Sequence, residues 1–375
     1  MNDIVSETVS RFRAPIPAPA SCPACPDDLP SVFSESTAFL AADADFFAPT
    51  VGRSSHTALA AFIDEECDGA ITGLHFLDGV PDSLSEFRSA TPESGDELFF
   101  MCDAPIPAGS RTVRERVDSS SEIVVELARR GVHAVRFPAS DQDRATFEAR
   151  LVDAFRSEDA RGFTEWVRSE TDDTAGYTRY NVLPESVSSF AGSALIDTAL
   201  PATQRARTFL SAYAVLMALP GVVGVRLAAF ISDGNPDGRD GPVPFDRFVD
   251  SLHDGDTLAG AVFSSVIERL RVRGREPAFR PGSRSRFLDG SRGVVSLVRG
   301  SVDPPSSTVP IICLHNIAHT PSDPAFTAEE LSVDDATLFR DLISGDVVYP
   351  YRTADGRFVF GMEPYESMWL RTFVP

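Results

Sequence analysis

The stretch that decides the fold is Arg271-Val-Arg-Gly-Arg-Glu-Pro-Ala-Phe-Arg-Pro281. It closes a helical pattern, and a different kind of chain follows it. Before it, apolar runs alternate with segments of helical spacing. Residues 37–44, 70–77, 97–102, 132–137 and 222–231 read as strands. Residues 56–66, 119–130, 145–156, 204–219 and 262–273 read as helices; in the first of these Leu59, Phe62 and Ile63 share one face. Repeated strand–helix alternation predicts a parallel sheet or barrel covered by helices. After the stretch the helical spacing stops. Short β-like runs at 285–288, 294–299, 308–316, 338–343, 358–362 and 367–373 are separated by Gly, Pro, Asp and Ser, which predicts a small all-β sandwich. The expected division is therefore 1–33 as a Pro/Ala-rich flexible lead-in, 34–276 as the α/β unit and 277–375 as the β-domain.

Composition narrows the function classes. The 34 basic residues are all Arg, against 55 acidic ones, giving a net charge of -21. A surface this negative repels phosphate backbones and anionic headgroups, so neither nucleic acid nor membrane is an expected partner. The Lys-free, acidic balance suits a salty cytoplasm, and equally a genome that writes Arg for Lys. No run of eighteen apolar residues predicts a membrane span, and the first residues show no apolar export region, so the expected location is cytoplasmic. Five Cys at irregular spacing do not form a disulfide framework. Cys22-Pro-Ala-Cys25 supplies two thiolates where a structural zinc needs four ligands, so no metal is expected. The Asp-rich loop 233–241 has Pro244 where a calcium loop starting at Asp233 needs Glu, and reads as a solvated loop. Signatures of serine hydrolases, zincins and nucleotide-binding loops are absent, and no cofactor is implied.

Several motifs, in order, carry a resemblance. Glu276-Pro-Ala-Phe-Arg-Pro281 is similar to an "HPAFHP" segment with Glu276 in place of its His. Ile312-Cys-Leu-His-Asn316 is similar to "LCLHN", and Pro364-Tyr-Glu-Ser-Met-Trp-Leu370 to "PYQVLWL". Ala214-Val-Leu-Met-Ala-Leu-Pro-Gly221 resembles "AIMLALPG", and Tyr180-Asn-Val-Leu-Pro-Glu-Ser186 is a looser echo of "PYELN". Nearer the start, Gly69-Ala-Ile-Thr-Gly-Leu-His-Phe-Leu77 and Gly131-Val-His-Ala-Val-Arg-Phe-Pro-Ala139 look like two further strands of the same family. These motifs resemble the sucrose phosphorylase branch of the α-amylase superfamily, glycoside hydrolase family 13. The resemblance implies an α/β fold, a (β/α) barrel of TIM type followed by a β-domain.

The resemblance also implies what is missing. Family members act through a retaining pair of carboxylates. The family nucleophile ends an "R-L-D-A" strand; here the matching run is Arg136-Phe-Pro138-Ala, so Pro138 occupies the nucleophile position. Proline offers neither nucleophile nor proton. Asp103 matches the Asp of a "D-x-x-x-N-H" motif whose Asn and His are here Pro107 and Ala108. No counterpart of the strand with the acid/base Glu is found. Only 41 residues lie between Pro138 and Tyr180. A full barrel needs several units of about 30 residues there, so the barrel is expected to be reduced to five or six strands.

The expectation is a non-catalytic relative that binds a carbohydrate or a partner protein, with oligomerisation left open. The substrate-binding candidates are Arg136, Asp103 and His75; Arg136 and Asp103 also read as an ancestral ion pair, and His75, like His133 and His315, as an ordinary core histidine. Two alternatives stand beside this expectation. One is an active α-glucoside phosphorylase, transferase or glycosidase with a rebuilt site, for which Asp103, Asp141 and Asp143 are the fallback carboxylates. The other is a structural or interaction protein without sugar affinity. Trp166 and Trp369 are the candidates for an aromatic sugar platform.

Overall fold

Ala38-Phe-Leu-Ala-Ala42 is buried at every position, as expected of a parallel strand covered on both faces. It forms β1 of a computed structural model that describes residues 38–67, 69–77, 84, 87, 99–103, 134–136, 141–173, 180–182, 202–231, 242–254, 257–281, 283–300, 309–334 and 338–373. The lead-in 1–33 with Cys22 and Cys25, the helix read at 119–130 and the loop 233–241 lie outside the described residues.

Five further strands join β1: β2 (Gly73–Phe76), β3 (Phe99–Asp103), β4 (Ala134–Arg136), β5 (Tyr180–Val182) and β6 (Val222–Arg226). They pair in the order β4-β3-β2-β1-β6-β5, all parallel. First and last strands side by side are the mark of a chain that returns on itself, as in a barrel. Removing two consecutive strands from an eight-stranded barrel, after the fourth, leaves this order. Between β4 and β5 the described chain has two successive helices instead, α2 (Asp141–Ser157) and α3 (Arg161–Asp173). Among the described residues the other long helices of this unit are α1 (Ser55–Cys67), α4 (Ala202–Ala218), α5 (Phe245–His253) and α6 (Leu258–Arg275).

Alternation along the strands sorts the side chains. Leu40, Leu74, Phe76, Phe100, Val223 and Val225 join the main core under the helices. Phe39, Met101 and Val222 form a separate cluster on the other side, inside the curve of the sheet. There Phe39 lies over β2, where a Cβ on Gly73 would sit 2.4 Å from its ring, so glycine is required for this packing. Outside the sheet, Phe47 packs against Phe62, Phe245 and Phe248, tying α1 and α5 to the loop after β1. Each such phenyl ring, fully buried, stabilises the fold by about 1.5–3 kcal/mol.

Some elements differ from the sequence reading, each for a local reason. The strand read at 222–231 ends at Arg226 and becomes a 3₁₀ turn, Leu227–Phe230. Phe230 leaves the sheet to pack edge-on against Phe263 of α6, ring centres 5.2 Å apart. Helix α6 begins earlier than 262, because the Thr257 side chain accepts a hydrogen bond from the Gly260 N–H at 3.0 Å and caps it. Helices α3 and α5 and strand β5 were not read as elements.

After α6 the pairing becomes antiparallel. Strands β7 (Ser285–Phe287), β8 (Val294–Arg299), β9 (Ile311–Asn316), β11 (Leu338–Asp341), β12 (Val347–Val348) and β15 (Ser367–Phe373) form a sheet in the order β12-β11-β15-β9-β8-β7. A smaller sheet, β10-β14-β13, comprises β10 (Ala325–Phe326), β13 (Tyr351–Arg352) and β14 (Phe358–Val359). The single-turn helix α7 (Ala328–Leu331) follows β10 and is closed by a capping box between Thr327 and Glu330. One face of the large sheet meets the small one through Leu314, Phe326, Phe339, Phe358 and Phe360. The other face, with Val295, Leu297, Ile311, Cys313 and Trp369, belongs to the main core with α4 and α6. Strands β8 and β9 are therefore buried throughout. Arg273 of α6 is fully buried and bridges this junction, its guanidinium donating to the carbonyls of Met217, Gly221 and Phe279 at 3.1, 2.8 and 3.1 Å.

The α2–α3 turn is fastened to the same sheet. Ala160 N–H donates to the Arg292 carbonyl at 2.8 Å, and Arg292 Nε to Asp159 at 3.1 Å. Glu158, at φ 53°, accepts from the His319 backbone N–H at 3.1 Å and contacts the imidazole Nδ1 as well. Phe155 stacks on Tyr365 with ring centres 6.5 Å apart.

Candidate functional site

In a parallel barrel the carboxyl ends of the strands form the mouth where ligands bind. Parity decides which side chains reach it. Since Phe39, Met101 and Val222 point inward, so do Asp103, two positions on along β3, Arg226, four on along β6, and His75 of β2, the register partner of Met101. His75 Nε2 lies 2.8 Å from Asp103 Oδ1; the imidazole is fully buried, while a quarter of the Asp103 side chain remains exposed. An ionised carboxylate only accepts, so His75 donates from Nε2, and the bond fixes the ring as it holds Asp103 at the rim. Asp103 is the register partner of Arg136, at the end of β4.

Thus Asp103 and Arg136 end β3 and β4, and His75 is the last residue but one of β2, next to them in the sheet. For Arg136, and for Asp141 and Asp143 in the first turn of α2, the structure describes the backbone alone. Pro138 and His133 lie outside the described residues. Two mouth residues were missed in the sequence. Arg226 ends a buried apolar run and is half-buried. Asp43 follows β1 directly, also half-buried, with its carbonyl accepting from the Phe46 N–H at 3.1 Å. A charged residue at the end of an apolar strand was the available signal for both.

Other chemistry-bearing residues are placed elsewhere. His315 lies on β9, with Nδ1 3.0 Å from Ser367 Oγ. Burial, then the Arg269 charge, pushes its pKa down to about 3, so it is neutral. Cys102 has the outward parity opposite to that of His75 and belongs to the helix-facing core. Burial pushes the Cys313 and Cys67 thiols up, which leaves no thiolate nucleophile at either. Trp369 is fully buried against Phe279, and Trp166 packs on Phe147 and Arg150, so neither presents a ring at the mouth. Glu276 accepts from Arg371 Nη1 at 2.8 Å and ties the domain junction to the last strand. Among the described residues no group of three His, Cys, Asp or Glu is arranged to hold a metal ion. No described helix is long and apolar enough to cross a membrane.

The class defined so far, among the described residues, is a six-stranded parallel sheet of barrel order with an antiparallel carboxy-terminal domain. Comparison with solved structures gives that class its type. A variant of AmyP in complex with maltotriose superposes with a TM-score of 0.63 at 10% identity, covering 91% of this chain and 98% of that one. The noncanonic maltogenic α-amylase AmyB from Thermotoga neapolitana gives 0.62 at 11%, covering 91% and 99%. The fold is thus that of α-amylase-type barrels. In sequence, a glucosylglycerate phosphorylase from Spirochaeta thermophila is 28% identical over 195 residues, which are 48% of this chain and 32% of that protein. The match thus spans about a third of that relative. No family model matches the chain. The relationship is to the sucrose-phosphorylase-like side of the α-amylase superfamily, over part of the chain.

Proposed function

We propose that this protein is a non-catalytic relative of sucrose-phosphorylase- and α-amylase-type enzymes that binds a carbohydrate at the mouth formed by His75, Asp103 and Arg136. The observation that most supports this is the chain between β4 and β5. Two helices run there, in the place where the family resemblance puts the strand with the acid/base Glu. The change of the nucleophile position to Pro138 points the same way. A carboxylate held by a buried imidazole is well suited to accept hydrogen bonds from sugar hydroxyls. A retaining reaction needs two carboxyl groups about 5–5.5 Å apart, one as nucleophile and one as acid/base. Arg136, Asp103 and His75 supply one carboxylate among them.

The neighbouring structure whose complex contains maltotriose makes a short α-glucan the first ligand to try. Calorimetric titration with sucrose, glucose and maltotriose tests the proposal. The expected result is binding that weakens about tenfold or more in Asp103→Asn, the loss of one charge-assisted contact. Binding of all three sugars unchanged by that substitution, or no binding by folded protein, would remove the mouth from the account. A cytoplasmic setting belongs to the same proposal, and the buried thiols of Cys67 and Cys313 are compatible with it.

A second reading has one observation in its favour. Asp43 and Asp103 follow strands separated by β2, about 10 Å between strand axes. That is near the span of an inverting pair rather than a retaining one. This reading requires turnover that Asp43→Asn abolishes.

A further inference from the structure

Among the described residues four large hydrophobic side chains are notably exposed: Val51, Val309, Tyr349 and Tyr351. The valines are isolated. The tyrosines flank Pro350, 75% and 56% exposed, at the start of edge strand β13 of the small sheet. Pro350 between them fixes its own φ and biases Tyr349 toward extended backbone. In an extended chain, residues two apart lie about 6.6 Å apart. The pair is thus a fixed, solvent-facing aromatic step on the carboxy-terminal domain, separate from the mouth.

The surroundings say what it would take. Arg352 is held over the Phe358 ring at 3.4 Å and donates from Nη1 to the Gly356 carbonyl at 2.6 Å. Arg357 pairs with Glu330 at 3.3 Å, and Asp355 is hydrogen-bonded by Thr353. The nearby charges on this hairpin are therefore already engaged within the domain, which favours an uncharged ligand over an anionic or cationic one. A protein strand adding to the edge of β13 is disfavoured, because Pro350 has no N–H to pair and the strand is two residues long. Tyrosine presents an apolar ring face with a polar tip. Such a ring matches the C–H face of a pyranose, and its hydroxyl the sugar's rim.

We infer that Tyr349 and Tyr351 form a surface platform for a neutral oligosaccharide, a second sugar contact on the carboxy-terminal domain. The inference rests on the proposed carbohydrate-binding function and extends it to longer chains. Affinity electrophoresis of the full chain in native gels containing soluble starch tests it. The wild type is expected to be retarded. Tyr349→Ala/Tyr351→Ala is expected to need about tenfold more starch for the same retardation, while Tyr349→Phe/Tyr351→Phe, which keeps the rings, stays near wild type. Equal retardation of the Ala variant, or no retardation of the wild type, would overturn the platform. Sucrose calorimetry on the same samples separates the two claims. A sucrose signal kept in the Ala variant and lost in Asp103→Asn upholds the mouth whatever the gels show. Starch retardation that needs the tyrosines, without any sucrose signal, upholds the platform and removes the mouth.

Discussion

Asp103 holds the buried His75 imidazole, and substitution can separate that contact from the sugar binding proposed for it. Asp103→Ala removes a hydrogen bond from a fully buried imidazole, so it should destabilise the protein by about 1–3 kcal/mol, read as a shift in the urea midpoint. Asp103→Asn, which keeps an acceptor, should cost less stability while still weakening sugar binding. His315 gives a pH signature. Its folded pKa is lowered to about 3 by burial, below the ordinary value of 6.5. Between these values the unfolded chain binds a proton that the native protein does not. Its contribution to stability is thus fully present above pH 6.5 and is lost as pH falls toward 3. His315→Asn should flatten the slope of stability against pH in that window; an unchanged slope would mean His315 is not held neutral. What the sequence showed at this scale was residue type. Asp103 and His75 could be named as candidates, but their contact depends on strand register, which periodicity does not give. The buried apolar strands hid Asp43 and Arg226 by drawing attention to their interiors.

At the scale of elements, the helix pair α2–α3 distinguishes this barrel from a complete one. Its turn is held by Glu158, Asp159 and Ala160 against Arg292 and His319. Glu158→Ala removes an acceptor shared by two His319 donors, and should cost about 1 kcal/mol and speed proteolytic cleavage between α2 and α3. Unchanged cleavage would mean that the apolar packing of Phe155 and Phe163 suffices. The sequence made the shortening legible, since 41 residues could not hold the missing strand–helix units. It did not make the replacement legible. Helix α3 has Phe163, Trp166 and Val167 as its large apolar residues, in a segment otherwise polar, and β5 is too short for any period to show. In the small sheet, β14 is legible as the start of the run 358–362, while β10 and β13 have two residues each and show no period.

For the whole molecule, a charge of -21 makes compactness depend on screening. Unpaired acidic surface repels itself, and at about 1 M salt the Debye length falls to about 3 Å. The melting temperature should therefore rise as NaCl is increased from low concentration toward that range; a flat or falling curve would argue that the acidic surface is already compensated by Arg pairs. The two-domain reading of 34–276 and 277–375 is a proposal at this scale too. The junction is extensively buried, with α4, α6 and the β8–β9 face in one core, so a single cooperative melting transition is the expected behaviour.

The proposed function is that of a non-catalytic, carbohydrate-binding protein with an α-amylase-type barrel fold. The direct measurement is product analysis after incubating purified, folded protein with sucrose, glucosylglycerate and maltotriose, with and without phosphate, at low and high salt, beside Asp103→Asn and Asp141→Ala/Asp143→Ala. The account predicts no released glucose or glucose phosphate above the protein-free control in any condition. Turnover by the wild type that either variant abolishes would contradict it, and would assign the reaction to a rebuilt carboxylate site.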